Sequence, residues 1–239
     1  MKRTIILVIL LATAGSLFAQ TQGGRVQAGQ IAADEIGTDT AQQRLQEISI
    51  SKFEDPGMWS VAMPLDQGII THQRFPGAPA DKRPLEAEEA TGTAEPDEYV
   101  LGVRANFYRR GSTALSVLSN RPLVVPGIAK TISVWVVGRN FNHTLNVVIS
   151  DHFGNRAVLP MGKLNFTGWK ELTVAVPAHI RQRDIHYSNL TGIRILGFVI
   201  TPALEETYGS YYVYFDDLRV VTDLFAEEAR DEDDMVDSW

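Results

Sequence analysis

The chain has no cysteine among its 239 residues, and that absence removes disulfide staples, thiol nucleophiles and cysteine-ligated metal centres together. Stability must come from an apolar core instead. Cations are also scarce: 22 Lys and Arg stand against 29 Asp and Glu, a net charge of −7. A nucleic-acid partner calls for a basic patch, so the composition argues against one, and it disfavours docking on anionic lipid by charge. No stretch reaches the roughly 18–20 apolar residues of a membrane-spanning helix, so no membrane insertion is expected. Catalytic signatures are missing too. There is no Gly-x-Ser-x-Gly elbow to expose a serine, no phosphate-cradling Gly-rich loop ending in Lys-Ser/Thr, and no His-Glu-x-x-His zinc helix. Glycoside hydrolysis needs two carboxylates facing one cleft, and no strand pattern carries two on one face. His72, His143, His152, His179 and His186 lack close metal-ligand spacing. The chain reads as a non-enzyme.

What is present begins with Lys2 and Arg3, an apolar run over residues 4–11, small residues, and then Leu17-Phe18-Ala19-Gln20. This is the layout of a secretory signal peptide, residues 1–19, with cleavage expected after Ala19. Its removal takes 19 of 239 residues and two cations, leaving 220 residues with 20 basic against 29 acidic and a charge near −9. A chain of that length can bury about 70% of its unfolded surface in one domain. Residues 20–46 are polar, with only isolated apolar positions such as Val26, Ile31 and Ile36, and are expected to form a flexible leader with a short helix near 40–46.

From Glu47 onward the dominant period is two. Ile132, Val134 and Val136 alternate with Ser133, Trp135 and Val137, and Leu145, Val147 and Ile149 alternate with Asn146 and Ser150. Alternation of this kind marks strands. Similar runs lie at 99–107, 113–119, 157–164, 169–176, 192–201 and 211–221, separated by turn signals such as Asn120-Arg121-Pro122, Pro126-Gly127 and Gly154-Asn155. Eight or more short strands with no strong amphipathic helix between them imply an all-β sandwich over residues 47–224, of jelly-roll type. Residues 75–98 interrupt it with Pro76, Pro79, Pro84 and Pro96 together with Glu86, Glu88, Glu89, Glu95, Asp97 and Glu98, which predicts a protruding or partly disordered insertion loop. The acidic tail, 225–239, carries seven acids against one Arg between Glu227 and Asp237, yet it holds Met235, Val236 and Trp239. It is either a solvated run or a docking peptide that buries those three residues in a neighbouring subunit.

Two further features have two readings each. In the run from Tyr211 to Val221, apolar residues occupy odd positions before Asp216-Asp217 and even ones after, which suggests a β-bulge at the pair. The bulge is either capped by hydrogen bonds or the start of a calcium site. Trp59, Trp135, Trp169, Tyr211, Tyr212 and Tyr214 could line a sugar platform, although Trp135 and Trp169 fit core positions within or at the start of strands.

Phe53-Glu-Asp-Pro-Gly-Met-Trp59, Ile132-Ser-Val-Trp-Val-Val-Gly138, Asp151-His-Phe-Gly154, Gly168-Trp-Lys170, the Tyr-Phe-Asp-Asp-Leu segment ending at Leu218 and the acidic tail with Trp239 together resemble the spirochaete periplasmic flagellar filament outer-layer (sheath) protein family, FlaA. The resemblance implies a periplasmic structural subunit. Such a subunit coats a flagellin core filament beside copies of itself or related sheath proteins, and tunes filament stiffness and shape for motility. The same segments more loosely resemble jelly-roll carbohydrate-binding modules, which makes a periplasmic carbohydrate-binding protein the alternative. That second resemblance implies a structural calcium held by Glu54 and Asp216.

Overall fold

In the computed structural model, residues 44–85, 88, 90, 96–111, 113–183 and 192–224 are described. The expected signal peptide, most of the leader and the acidic tail lie outside them. Eleven strands follow one another: β1 (Leu45–Ser51), β2 (Trp59–Ala62), β3 (Gly68–Pro76), β4 (Tyr99–Phe107), β5 (Leu115–Val125), β6 (Ile128–Arg139), β7 (Thr144–Ser150), β8 (Arg156–Lys163), β9 (Thr167–Ala175), β10 (Ile193–Thr201) and β11 (Gly209–Asp223). All pairings are antiparallel.

The strands form two sheets, β3-β4-β11-β6-β9 with β1 also on β11, and β2-β5-β10-β7-β8. Without the flanking β1, β2 and β3, the orders are β4-β11-β6-β9 and β5-β10-β7-β8. Eight strands thus fall into two four-stranded layers, the chain crossing between them at every connection except β7 to β8, which is the jelly-roll arrangement. β11 is its longest strand because it serves two partners on one side. Its first half pairs with β4 from Gly209 to Phe215, and its second half pairs with β1 from Leu218 to Asp223.

Period-two alternation sends one face of each sheet inward. Ile132, Val134 and Val136 of β6, Leu101 and Val103 of β4, and Val213 and Phe215 of β11 meet Leu145, Val147, Ile195 and Phe198 from the second sheet in one buried core. Phe53 stacks on Trp59 at 4.6 Å, and Phe198 on Phe215 at 5.2 Å. Trp59 and Tyr211 are therefore core residues. Trp135 and Trp169 are not. Trp135 falls between the buried Val134 and Val136, and Trp169 pairs with Val137, so both stand half-buried on the outward face of the first sheet.

Two local expectations change. Leu45 and Gln46 open β1 instead of closing a helix, while 40–43 lie outside the described residues. Asn120-Arg121-Pro122 is not a turn between strands but an irregularity inside β5, where pairing with β10 jumps from Leu123↔Ile195 to Leu118↔Gly197. A proline has no N–H for a ladder, and a bulge is where a strand accommodates it. Gly197 supplies the matching backbone at φ +133, where a Cβ would meet the Val117 carbonyl oxygen at 2.3 Å.

Candidate interaction surface

The outward face of the six-stranded sheet carries most of the polar and aromatic residues singled out above. One half of this face is covered. The parity shift at Asp216-Asp217 is a β-bulge: Asp216 opposes Trp135 and Arg219 opposes Ser133, with one extra residue on β11. Asp217 takes φ +48 there. At the same point the neighbour of β11 changes from β4 to β1. Two carboxylates are thus turned toward the junction, and both are fully buried.

The 77–85 segment of the insertion covers them. Gly77 donates its N–H to the Glu98 carbonyl, and Leu85 is buried. Lys82 Nζ lies 2.6 Å from Asp97 Oδ1, 2.9 Å from Asp216 Oδ2 and 3.9 Å from Asp217 Oδ2. Arg219 reaches from β11 to hold Asp217 Oδ2 from Nε at 2.7 Å and from Nη2 at 2.6 Å. It also donates to the Arg83 carbonyl and lies 3.4 Å from Glu47 Oε2. This part of the insertion is therefore not a protrusion but a strap over the sheet. Its few apolar groups cannot build a core, yet one lysine with two carboxylate partners holds it down.

Burial acts on the two ends of this pair in opposite senses. Burial raises the Asp216 carboxyl to about 6 despite the hydrogen bond and charge of Lys82. Burial would lower Lys82, but the hydrogen bonds to Asp97 and Asp216 and the charges of Asp216 and Asp217 outweigh it and hold the ammonium above its ordinary value. The lysine has two close carboxylates and Asp216 only one close cation, so the weak member is Asp216. Asp216 Oδ1 and Asp217 Oδ1 have no hydrogen-bond partner among the described residues.

Glu54 lies apart from this network. Its Oε1 accepts the backbone N–H groups of Glu98 at 2.6 Å and Tyr99 at 2.9 Å, tying the chain after β1 to the start of β4. A calcium ion takes six to eight oxygens. Here Asp216 faces an ammonium and Glu54 faces two amides, and the described residues contain no group of three or more His, Asp or Glu suited to a metal. As arranged, these donors do not fit a calcium ion.

The other half of the face is open. Gly102 of β4 sits between Phe75 of β3 and Tyr214 of β11, which meet edge-on at 5.5 Å. A Cβ at Gly102 would come within 2.5 Å of the Phe75 ring and 3.0 Å of Tyr214. The Phe75 ring fills that space, and beside it lies a recess of about 180 Å³ that Tyr214, Tyr212, Arg104 and His72 also line. Arg104 lies over the Tyr212 ring at 5.5 Å and Arg139 over Tyr214 at 5.5 Å. Neither guanidinium has a carboxylate partner among the described residues. Among the described residues Arg104 donates only to the Asn106 side chain, at 3.2 Å. Sequence reasoning singled out the tyrosines but missed Gly102, Phe75 and both arginines. The one local signal for them was the alternation that places Gly102 and Arg104 on the same side of β4.

The flagellar filament outer layer protein family, FlaA, matches residues 30–230. A flagellar filament outer layer-like protein of Brachyspira hyodysenteriae is 36% identical over 205 residues, covering 86% of this chain and 92% of that one. A flagellar filament outer layer protein of Spirochaeta aurantia is 27% identical over 162 residues, 53% of this chain and 48% of the relative. Among solved structures, TmCBM61 in complex with β-1,4-galactotriose is 14% identical with a TM-score of 0.38, over 71% of this chain and 89% of that one. The family 11 carbohydrate-binding module of Clostridium thermocellum Lic26A-Cel5E is 11% identical with a TM-score of 0.40, over 75% and 96%.

Proposed function

The chain belongs to the flagellar filament outer layer protein family, and from that premise we propose that it is a non-catalytic structural subunit of the filament sheath. It is exported to the periplasm, coats a flagellin core beside copies of itself or related sheath proteins, and tunes filament stiffness and shape. The observation that carries this reading is the family match across residues 30–230.

The fold is physically suited to the task. A sandwich presents two broad faces, and β3, β9, β2 and β8 end the rows of its two sheets. Repeated contacts of one surface against a different one do not close into a dimer and propagate along a helix. In such a lattice individually weak contacts add through effective concentration. The excess of acidic residues keeps free subunits apart, and salt screens that repulsion over about 10 Å at 0.1 M, so coating depends on ionic strength.

Deletion followed by imaging tests the reading. Filaments without this protein should be thinner and bend differently while the core persists. Unchanged diameter, curvature and stiffness, with the protein free in the periplasm, would overturn it in favour of a carbohydrate-binding role for the open face.

A further inference from the structure

The half-open face of the six-stranded sheet is an unusual surface for an acidic chain. Its centre is a ring-sized recess, since a 150 Å³ apolar cavity already holds a benzene and this one measures about 180 Å³. At its edge are two guanidiniums, each over a tyrosine and neither matched to a carboxylate among the described residues. A fitting occupant has one aromatic ring and several negative charges within a few residues of it.

The C-terminal end of the chain offers such a segment. Residues 231–239, Asp-Glu-Asp-Asp-Met-Val-Asp-Ser-Trp, combine five carboxylates with Met235, Val236 and Trp239. We propose that the recess beside Gly102 receives the C-terminal segment of a neighbouring copy, with Trp239 against the Phe75, Tyr212 and Tyr214 rings that line it and the acidic residues against Arg104 and Arg139. The proposal deepens the sheath reading and rests on it for the presence of adjacent copies.

The occupant comes from a neighbour because of where its own chain leaves the sheet. Trp239 follows Leu224 by 15 residues, a reach of up to about 50 Å when extended. From Asp223 back to Tyr214 is nine residues of β11, about 30 Å at strand rise. A segment returning over its own face would have to pass Asp216 to Arg219, where Lys82 and Arg83 already lie. A segment from an adjacent subunit meets no such obstacle. Buried aromatic and arginine contacts dominate interface energy, and guanidinium–carboxylate pairs are the stronger class of hydrogen bond. One segment per subunit, each filling the next recess, gives the non-closing contact a filament coat needs.

The test uses purified full-length protein. A photo-crosslinker replaces Trp239, and ¹⁴N and ¹⁵N copies are mixed. Cross-links should join position 239 of one isotope to peptides of β3, β4 or β11 of the other. Cross-links confined to one isotope, or falling elsewhere, overturn the proposal. A fluorescent peptide of residues 225–239 should bind the full-length chain, and Arg104→Gln with Arg139→Gln, both exposed, should weaken it at least tenfold. Trp239→Ala in the peptide should do the same. Binding unchanged by either substitution overturns the proposal, as does a face that binds a cello-oligosaccharide and not the peptide. None of these readouts needs filaments. Cross-links that form while deletion leaves filaments unaltered separate a true contact from a wrong sheath reading, and the opposite result removes the contact alone.

Discussion

Replacing Lys82 by Met removes the ammonium from between Asp97 and Asp216 while keeping most of the apolar stem. Losing one partner of a buried pair costs about 3–5 kcal/mol. The lower figure applies, because Asp97 is partly exposed and Asp216 can escape by taking up a proton. With Lys82 present, raising Asp216 from its ordinary 3.8 to about 6 already amounts to roughly 3 kcal/mol against its charged form. Between those two values the folded state binds the proton that the unfolded state has released. This carboxyl therefore makes the fold more stable as pH falls from about 6 toward 4. Without the ammonium, Asp216 stays protonated to higher pH. The difference between wild type and variant then grows by about 1.4 kcal/mol per pH unit above 6, about 2 kcal/mol between pH 6 and 7.5.

The expected outcome is a loss of about 3 kcal/mol at pH 7.5 that falls to about 1 at pH 5. For a domain of this size each kcal/mol moves Tm by about 2–4 °C, so calorimetry should show a drop of roughly 6–12 °C at pH 7.5. Lys82→Met with Asp216→Asn leaves no charge at that position and should recover at least half of it, independent of pH. Titrations of groups away from Lys82 move wild type and variant alike and cancel in the comparison. A loss below about 1 kcal/mol at pH 7.5 would refute the reasoning, since buried pairs broken on one side cost several times that. An equal loss at both pH values would refute it as well.

His143 is fully buried beside Phe141 and Tyr211, its Nδ1 accepting the Ala203 N–H at 3.2 Å, and burial lowers its pKa despite nearby Glu206. The unfolded chain gains that proton first, so stability should fall as pH drops below about 6.5. His143→Asn, which can keep the acceptor, should flatten this part of the pH–Tm curve, and an unchanged slope would contradict the assignment. Chelation should leave Tm unchanged, because Lys82 already stands at Asp216 and backbone amides at Glu54. A Tm that rises with added calcium, as a ligand selective for the folded state requires, would contradict it.

Much of this molecule was legible locally. The alternation of Ile132, Val134 and Val136 announced β6 and its buried side, although Trp135, expected in the core, stands on the other side. The change of parity at Asp216-Asp217 announced the bulge, because side-chain direction along a strand has a period of two and one extra residue inverts it. Such features depend on neighbours in sequence, so sequence by itself determined the sandwich class and the strands from β4 onward. Tertiary structure decided the rest. Pro122 reads as a turn until β10 is placed beside β5 and absorbs it in a bulge. Lys82 reads as one charge in an acidic loop until the fold brings it against Asp216, 134 residues away. Gly102 reads as one more glycine until β3 lays the Phe75 ring over it, against Tyr214 of β11. Each of these depends on which distant segments share a sheet and on the register between them, and no local pattern carries that information.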